Sequence, residues 1–214
     1  MNRDHGFHLH MGESAEGRLR IEDRSCGTCP NCSAGWPTWC VTPGSVRRSC
    51  AFQVPARDGK LVCDILAMTA AALAAGIKKR VVVVQDDRGG ATSAAIALLG
   101  ARVVLRAGSP ASLPANRDGV SPDDDVRRAL HDLTPTGKAD VVVAGSGDLR
   151  RALRSVVRGG CVATAGPASS VVTVTEWVQR ELRLVGPADI FAAVTGTSGP
   201  SVVGAIESAV ESAA

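Results

Sequence analysis

The chain has 214 residues, of which 45% are hydrophobic and 21% charged, and its formal net charge is +3. That length admits one large domain or two small ones, and the composition is that of a globular protein able to bury a core. Aromatic residues make up only 3% and Tyr is absent, so stacking platforms are scarce and interspersed charge leaves no basic footprint, which argues against nucleic-acid partners. The core has to be built from Ala, Val, Leu and Ile. The first residues carry no apolar h-region and no apolar run reaches eighteen residues, so neither a leader nor a membrane span is expected, and a cytoplasmic location is. Seven cysteines, an odd number, suit reduced thiols around a metal better than a disulfide framework.

Residues 1–25 are polar and lack a clean period. His5, His8 and His10 sit in this tail, where histidines are more often solvated than metal-bound. Next come Cys26, Cys29, Cys32 and Cys40, spaced C-x2-C-x2-C-x7-C within fifteen residues. Four thiolates separated by small and turn-forming residues can converge on one tetrahedral ion, and zinc is the natural occupant of a four-sulfur set. Such a site is closed and therefore structural. The alternatives are two disulfides, which need an oxidising compartment, or an iron–sulfur cluster, whose bacterial runs space the fourth cysteine differently.

Residues 49–62 read as two short strands broken by a turn at Asp58-Gly59, and the Ala- and Leu-rich stretch 64–76 as a helix stopped by Gly76. Val81–Val84 is a continuous β-branched run, as in a strand buried on both faces of a parallel sheet. Gly89 and Gly90 follow, then a small-residue helix over 91–99 and a second strand over 101–106, together a βαβ beginning. Residues 107–124 hold three prolines and predict a loop without a central strand. A helix over Asp124–Leu133, a strand over Ala139–Ala144, a basic helix over Asp148–Val157, a strand from Gly160 to Ala165 and a helix over 200–213 complete the pattern. The fold class is α/β: a doubly wound, Rossmann-like parallel sheet with a small N-terminal zinc-binding lobe. The division expected is 1–62 for the lobe and 63–214 for the nucleotide-binding fold.

The cysteine spacing, with Gly27 after the first Cys and Gly35 between the third and fourth, resembles the structural zinc lobe of the medium-chain dehydrogenase/reductase family, the zinc-containing alcohol dehydrogenases. The Val54-Pro55-Ala56 stretch, the Leu99–Val103 segment (LGARV), the Gly159-Gly160 pair and Glu181–Gly186 are similar to segments of the same family. The resemblance covers about residues 20–190 in three patches. It implies an NAD(P)-linked oxidoreductase interconverting an alcohol and a carbonyl.

The chain departs from the family in two places. Catalytic members hold a second zinc, whose first ligands lie well upstream of the lobe, and the 25 residues before Cys26 leave no room for them. His10 and Glu13 are the nearest candidates for a His-Glu pair, and coincidence is the stronger reading. Cys63 stands near the place of a third ligand, where a buried apolar thiol is the simpler account. No catalytic residue is therefore assigned, and the substrate is not legible. The second departure is the cofactor turn. A G-x-G-x-x-G turn lets backbone approach the diphosphate, whereas here only Gly89 and Gly90 remain and Asp86 and Asp87 would repel phosphate. Arg106, at the end of the second strand, would favour a 2′-phosphate and so NADP over NAD, or else is a solvated strand-end cation. Three functions are compatible with these features: a shortened, impaired dehydrogenase; an inactive homologue acting as a binding or structural subunit, with self-association into a homo-oligomer; and a zinc interaction finger unrelated to dehydrogenases.

Overall fold

The structure is a computed structural model that describes residues 9–14, 17–37, 40–85, 90–107, 122–145, 149–165, 174–186, 189–195 and 199–213. His5, His8, Asp86, Asp87, Arg88, Gly89 and the bulk of the proline-rich segment lie outside the described residues.

Five strands form a parallel sheet in the order β5-β4-β6-β7-β8. They are β4 (Val81–Gln85), β5 (Val103–Ala107), β6 (Ala139–Ala144), β7 (Val156–Thr164) and β8 (Arg183–Val185). Every residue of β4 is buried, as a central strand covered on both faces requires. Side chains alternate across the sheet. Val82, Val84, Val141 and Val143 enter one core with α2 (Gly59–Ala75), α3 (Ala91–Leu98) and α8 (Gly199–Ala213). Val81, Val83 and Val142 enter the other core, beneath α4 (Pro122–Leu133) and α5 (Leu149–Ser155). Two short helices, α6 (Val174–Gln179) and α7 (Ala192–Thr195), flank β8 in sequence. The parallel order and the helices on both faces bear out the doubly wound reading. No described helix is long and apolar enough to cross a membrane.

The N-terminal region differs from the sequence expectation. Instead of a patternless tail it forms β1 (Leu9–Glu13) and β2 (Arg18–Asp23), which join β3 (Arg48–Pro55) in an antiparallel sheet of order β1-β2-β3. In β2 Arg18 and Arg20 face out while Leu19 and Ile21 are fully buried and Asp23 follows them inward, so two apolar side chains at period two suffice to fix the face. The second strand expected near residues 60–62 is absent. A 3-10 turn over Ala56–Asp58 leads directly into α2 at Gly59. Val62, Ile65, Leu66 and Thr69 are all buried on that helix, and its burial on helical spacing overrides the turn signal. Similarly, the basic helix stops at Ser155 and Val156 already belongs to β7.

Helix α2 places the antiparallel sheet. Its alanines Ala70, Ala71, Ala72 and Ala75 are buried with Leu19, Ile21, Phe52 and Val54 of the small sheet and with valines of the large one. Both sheets thus share one core across residue 62. Phe52 is fully buried there, so Phe52→Ala should destabilise the whole chain by about 3–5 kcal/mol in a single urea transition. A loss below about 1 kcal/mol, or a separate early transition, would show that the small sheet lies outside the common core.

Candidate metal centre and the strand-end crevice

The four cysteines occupy a loop excursion between β2 and β3. Helix α1 (Pro30–Ser33) gives one turn with Pro30 at its first position, and carries Cys32 while Cys29 stands at its N-cap. Gly27 has φ +77, and a Cβ there would lie 2.6 Å from Nη1 of Arg47. Only glycine permits both that backbone turn and the close guanidinium. The four Sγ atoms lie within 4.8 Å of one another, and those of Cys29 and Cys40 are 3.9 Å apart. Tetrahedral sulfurs around zinc at about 2.3 Å stand about 3.8 Å apart, so the spacing matches a tetrathiolate ion site. All seven cysteines are unpaired, which removes the disulfide alternative.

Donors converge on these sulfurs. The N–H groups of Thr28 and Cys29 reach Cys26 Sγ at 3.4 and 3.2 Å, and the Thr42 hydroxyl donates to it at 3.2 Å. The N–H of Cys26 in turn donates to Cys40 Sγ at 3.3 Å. The Thr42 hydroxyl, followed by the Thr28 and Cys29 N–H groups, draws Cys26 down to about 5. Burial, together with neighbouring thiols, pushes Cys32 up to about 12. Four thiolates and one Zn2+ carry a net charge of about −2, and the Arg47 guanidinium beside Gly27 places a positive charge next to it. The donor set therefore fits zinc in a closed, structural role.

The centre is tied to the rest of the fold by Asp23 and Arg48. Asp23 ends β2, accepts the N–H of Ser25 at 2.8 Å and pairs with Arg48 at 2.6 Å. Arg48 also makes two hydrogen bonds of 2.9 Å to Asp189 and lies 5.3 Å from the Phe191 ring centroid. Asp189 caps α7 through the N–H of Ala192. One guanidinium thus joins the base of the cysteine loop to the segment after β8. Nothing in the sequence marked these residues, because isolated charges 25 and 141 positions apart carry no local pattern.

The sequence candidates for a second metal fall on separate elements. His10 and Glu13 lie on β1, in register with Glu22 and Leu19 of β2. Cys63 is on α2, where burial pushes its thiol up to about 12, as suits a packed neutral thiol. Among the described residues the four cysteines are the sole cluster of metal-ligating side chains.

At the cofactor end, Gly90 is the N-cap of α3 with φ +85 and no side-chain cap. The Arg106 guanidinium packs against it, so that a Cβ on Gly90 would lie 3.0 Å from Nη1. A groove of about 370 Å3 opens beside them, lined by Ser93, Ala94, Val104 and Ser212 among others. Gly90 and Arg106 are therefore brought together, as an anion site at a helix N-terminus would need. Gln85, which the sequence reading passed over, ends β4 with its side chain 1% exposed. The signal was a polar residue terminating an all-valine run.

Two outcomes test the metal centre. The purified chain should carry one equivalent of zinc in a four-sulfur shell by X-ray absorption, and Cys40→Ser should lose it and unfold the loop. Less than half an equivalent of metal in the wild type would contradict the assignment. The second concerns pH. Burial raises the Asp23 carboxyl, but the Ser25 N–H and Arg48 outweigh it and hold it below its ordinary 3.8. A depressed folded value stabilises the protein above the unfolded pKa, and that contribution is lost as pH falls through the folded one. Wild-type stability should therefore drop more steeply than that of Asp23→Asn below about pH 4, and parallel profiles would refute it.

No protein-family model matches the chain, and no curated protein matches it. Solved structures do. A protein described as a zinc-binding dehydrogenase from Sinorhizobium meliloti 1021, solved bound to NADP, superimposes with a TM-score of 0.56 at 18% identity, covering 92% of this chain and 68% of that one. An alcohol dehydrogenase from Thermus sp. ATN1 gives 0.59 at 16% identity, covering 94% and 72%. L-Idonate 5-dehydrogenase from Escherichia coli gives 0.58 at 18% identity, covering 94% and 70%. With the cysteine lobe, the shared core and the five-stranded sheet all in place, the chain has the fold of these dehydrogenase structures.

Proposed function

We propose that this chain is a zinc-binding, alcohol dehydrogenase-like oxidoreductase in which the metal is structural and NAD(P)-linked alcohol–carbonyl interconversion is impaired. The observation that carries this reading is the single closed four-cysteine set on a dehydrogenase fold. A closed tetrathiolate has no open position for substrate, so the zinc it fits would hold the lobe and polarise nothing. The residues described gather no second set that could.

For the dinucleotide, Gly90 and Arg106 fit the phosphate end: the uncapped N-terminus of α3 and the guanidinium face the same place. A bound NADP(H) would supply or accept the hydride. Arg106 would pair with a 2′-phosphate, a charge-assisted contact that NAD cannot offer. Asp86 and Asp87 act in the opposite direction, since each like-charge contact at about 4 Å opposes binding by about 1 kcal/mol in water and by more when partly buried.

A second reading, a binding or structural subunit that pairs with a second copy, draws on the outer strand. β8 ends the sheet, and Leu184 on it and Val178 on α6 are more than half exposed. Open apolar strand edges are where chains associate.

Calorimetric titration separates the two. The first reading expects NADPH to bind more weakly than micromolar yet more tightly than NADH, with Arg106→Ala abolishing the difference. Tight NADH binding unchanged by Arg106→Ala would contradict the cofactor assignment. Absence of any dinucleotide binding, together with a concentration-dependent dimer by analytical ultracentrifugation, would establish the subunit reading instead.

A further inference from the structure

Gln85 is the last residue of the central strand. Its side chain is 1% exposed, and among the described residues neither Oε1 nor Nε2 has a hydrogen-bond partner. A buried carboxamide with both ends unsatisfied is costly, and it stands at the end of four valines where a fifth apolar residue would cost nothing. By alternation it shares the face of Val81 and Val83, on the side of α4 and α5. Its register partners are Ala107 on β5 and Ala144 on β6, and Ala144 is followed by Thr164 on β7. The amide is thus flanked by two methyl groups in a row along the carboxyl edge of the sheet.

That place is the topological switch point. From β4 the chain passes through α3 on one face to β5, and from β5 through α4 on the other face to β6. Ligands of open α/β sheets bind in the crevice outside the strand ends there. In a glycine turn framed to end on Gly90, Gln85 holds the first glycine position. A side chain therefore stands where the usual turn has none.

We propose that the Gln85 carboxamide is a ligand-reading group at this crevice. It presents a donor and an acceptor side by side, so its partner is a planar group with the complementary pair: the edge of an adenine base or a second carboxamide such as that of nicotinamide. Ala107 and Ala144, its register neighbours, carry only methyl groups beside it. This rests on the reading of the crevice as a nucleotide site, but it places recognition on a base or amide edge and not on the diphosphate.

The test uses the full, zinc-loaded chain as wild type, Gln85→Met and Gln85→Gly, with AMP, nicotinamide mononucleotide and NADPH as probes. Methionine keeps the length and removes both polar atoms. Gln85→Met is expected to raise the melting temperature of the free protein while weakening binding of one mononucleotide at least tenfold. Loss confined to AMP identifies the adenine edge, and loss confined to nicotinamide mononucleotide identifies the carboxamide. A lower melting temperature for Gln85→Met, or a crystal structure with a water bridging the amide to protein, would show that the amide is satisfied internally and overturn the proposal. So would unchanged affinity for every probe, no wild-type binding to any, or tighter NADPH binding by Gln85→Gly. NADPH binding that depends on Arg106 but not on Gln85 would overturn this proposal and leave the cofactor reading standing. AMP binding through Gln85 without NADPH binding would do the reverse.

Discussion

Four sulfurs within 4.8 Å of one another cannot all ionise without a cation among them, and the N-terminal third of this protein is arranged around that constraint. Among its described residues the loop from Cys26 to Cys40 has one α-helical turn and none that enters either apolar core. Its cohesion therefore has to come from metal–sulfur bonds and from the N–H and hydroxyl groups that converge on Cys26 and Cys40. A metal that closes such a loop contributes its binding energy to folding. The Arg47 guanidinium lies against Gly27, where it would offset the net negative charge of four thiolates around one zinc.

From this centre order passes to the parallel sheet by two routes of different physical kind. One is apolar: Leu19, Ile21, Phe52 and Val54 pack with the alanines of α2 in the core that also holds Val82, Val84, Val141 and Val143. Alanines let the helix lie close to both sheets, which is how a chain with three Phe and no Tyr fills its interior. The other is electrostatic: Arg48 holds Asp23 and Asp189 together while stacking on Phe191. A partly buried, bidentate arginine between two carboxylates is worth far more as a positioning element than an exposed pair such as Arg158–Glu181. Its geometry couples the base of the metal loop to the cap of α7.

The parallel sheet was legible in the sequence because its signals are local and strong. Continuous valine runs at 81–84 and 141–143 can be little else than doubly covered strands, and the cysteine spacing names its own chemistry. What escaped notice was set by tertiary context. β2 buries Leu19, Ile21 and Asp23, but only two of the three are apolar, too few for its alternation to stand out in a charged stretch. The Asp58-Gly59 pair has the composition of a turn, yet α2 begins there because Val62, Ile65 and Leu66 find a core to enter. At the candidate site, Gly90 and Arg106 were found from their order along the chain. Gln85 was not, because an unsatisfied buried amide is defined by what surrounds it.

A structural metal at the four cysteines should hold the lobe while the parallel sheet stands without it. Hydrogen exchange by mass spectrometry on the zinc-loaded and chelator-treated chain tests this most directly. Removal of the metal should expose the amides of residues 24–47, while β2 and β3, which share the common core, and β4, β6 and β7 keep their protection. An exchange pattern unchanged by chelation, in a sample shown to have lost its zinc, would contradict it.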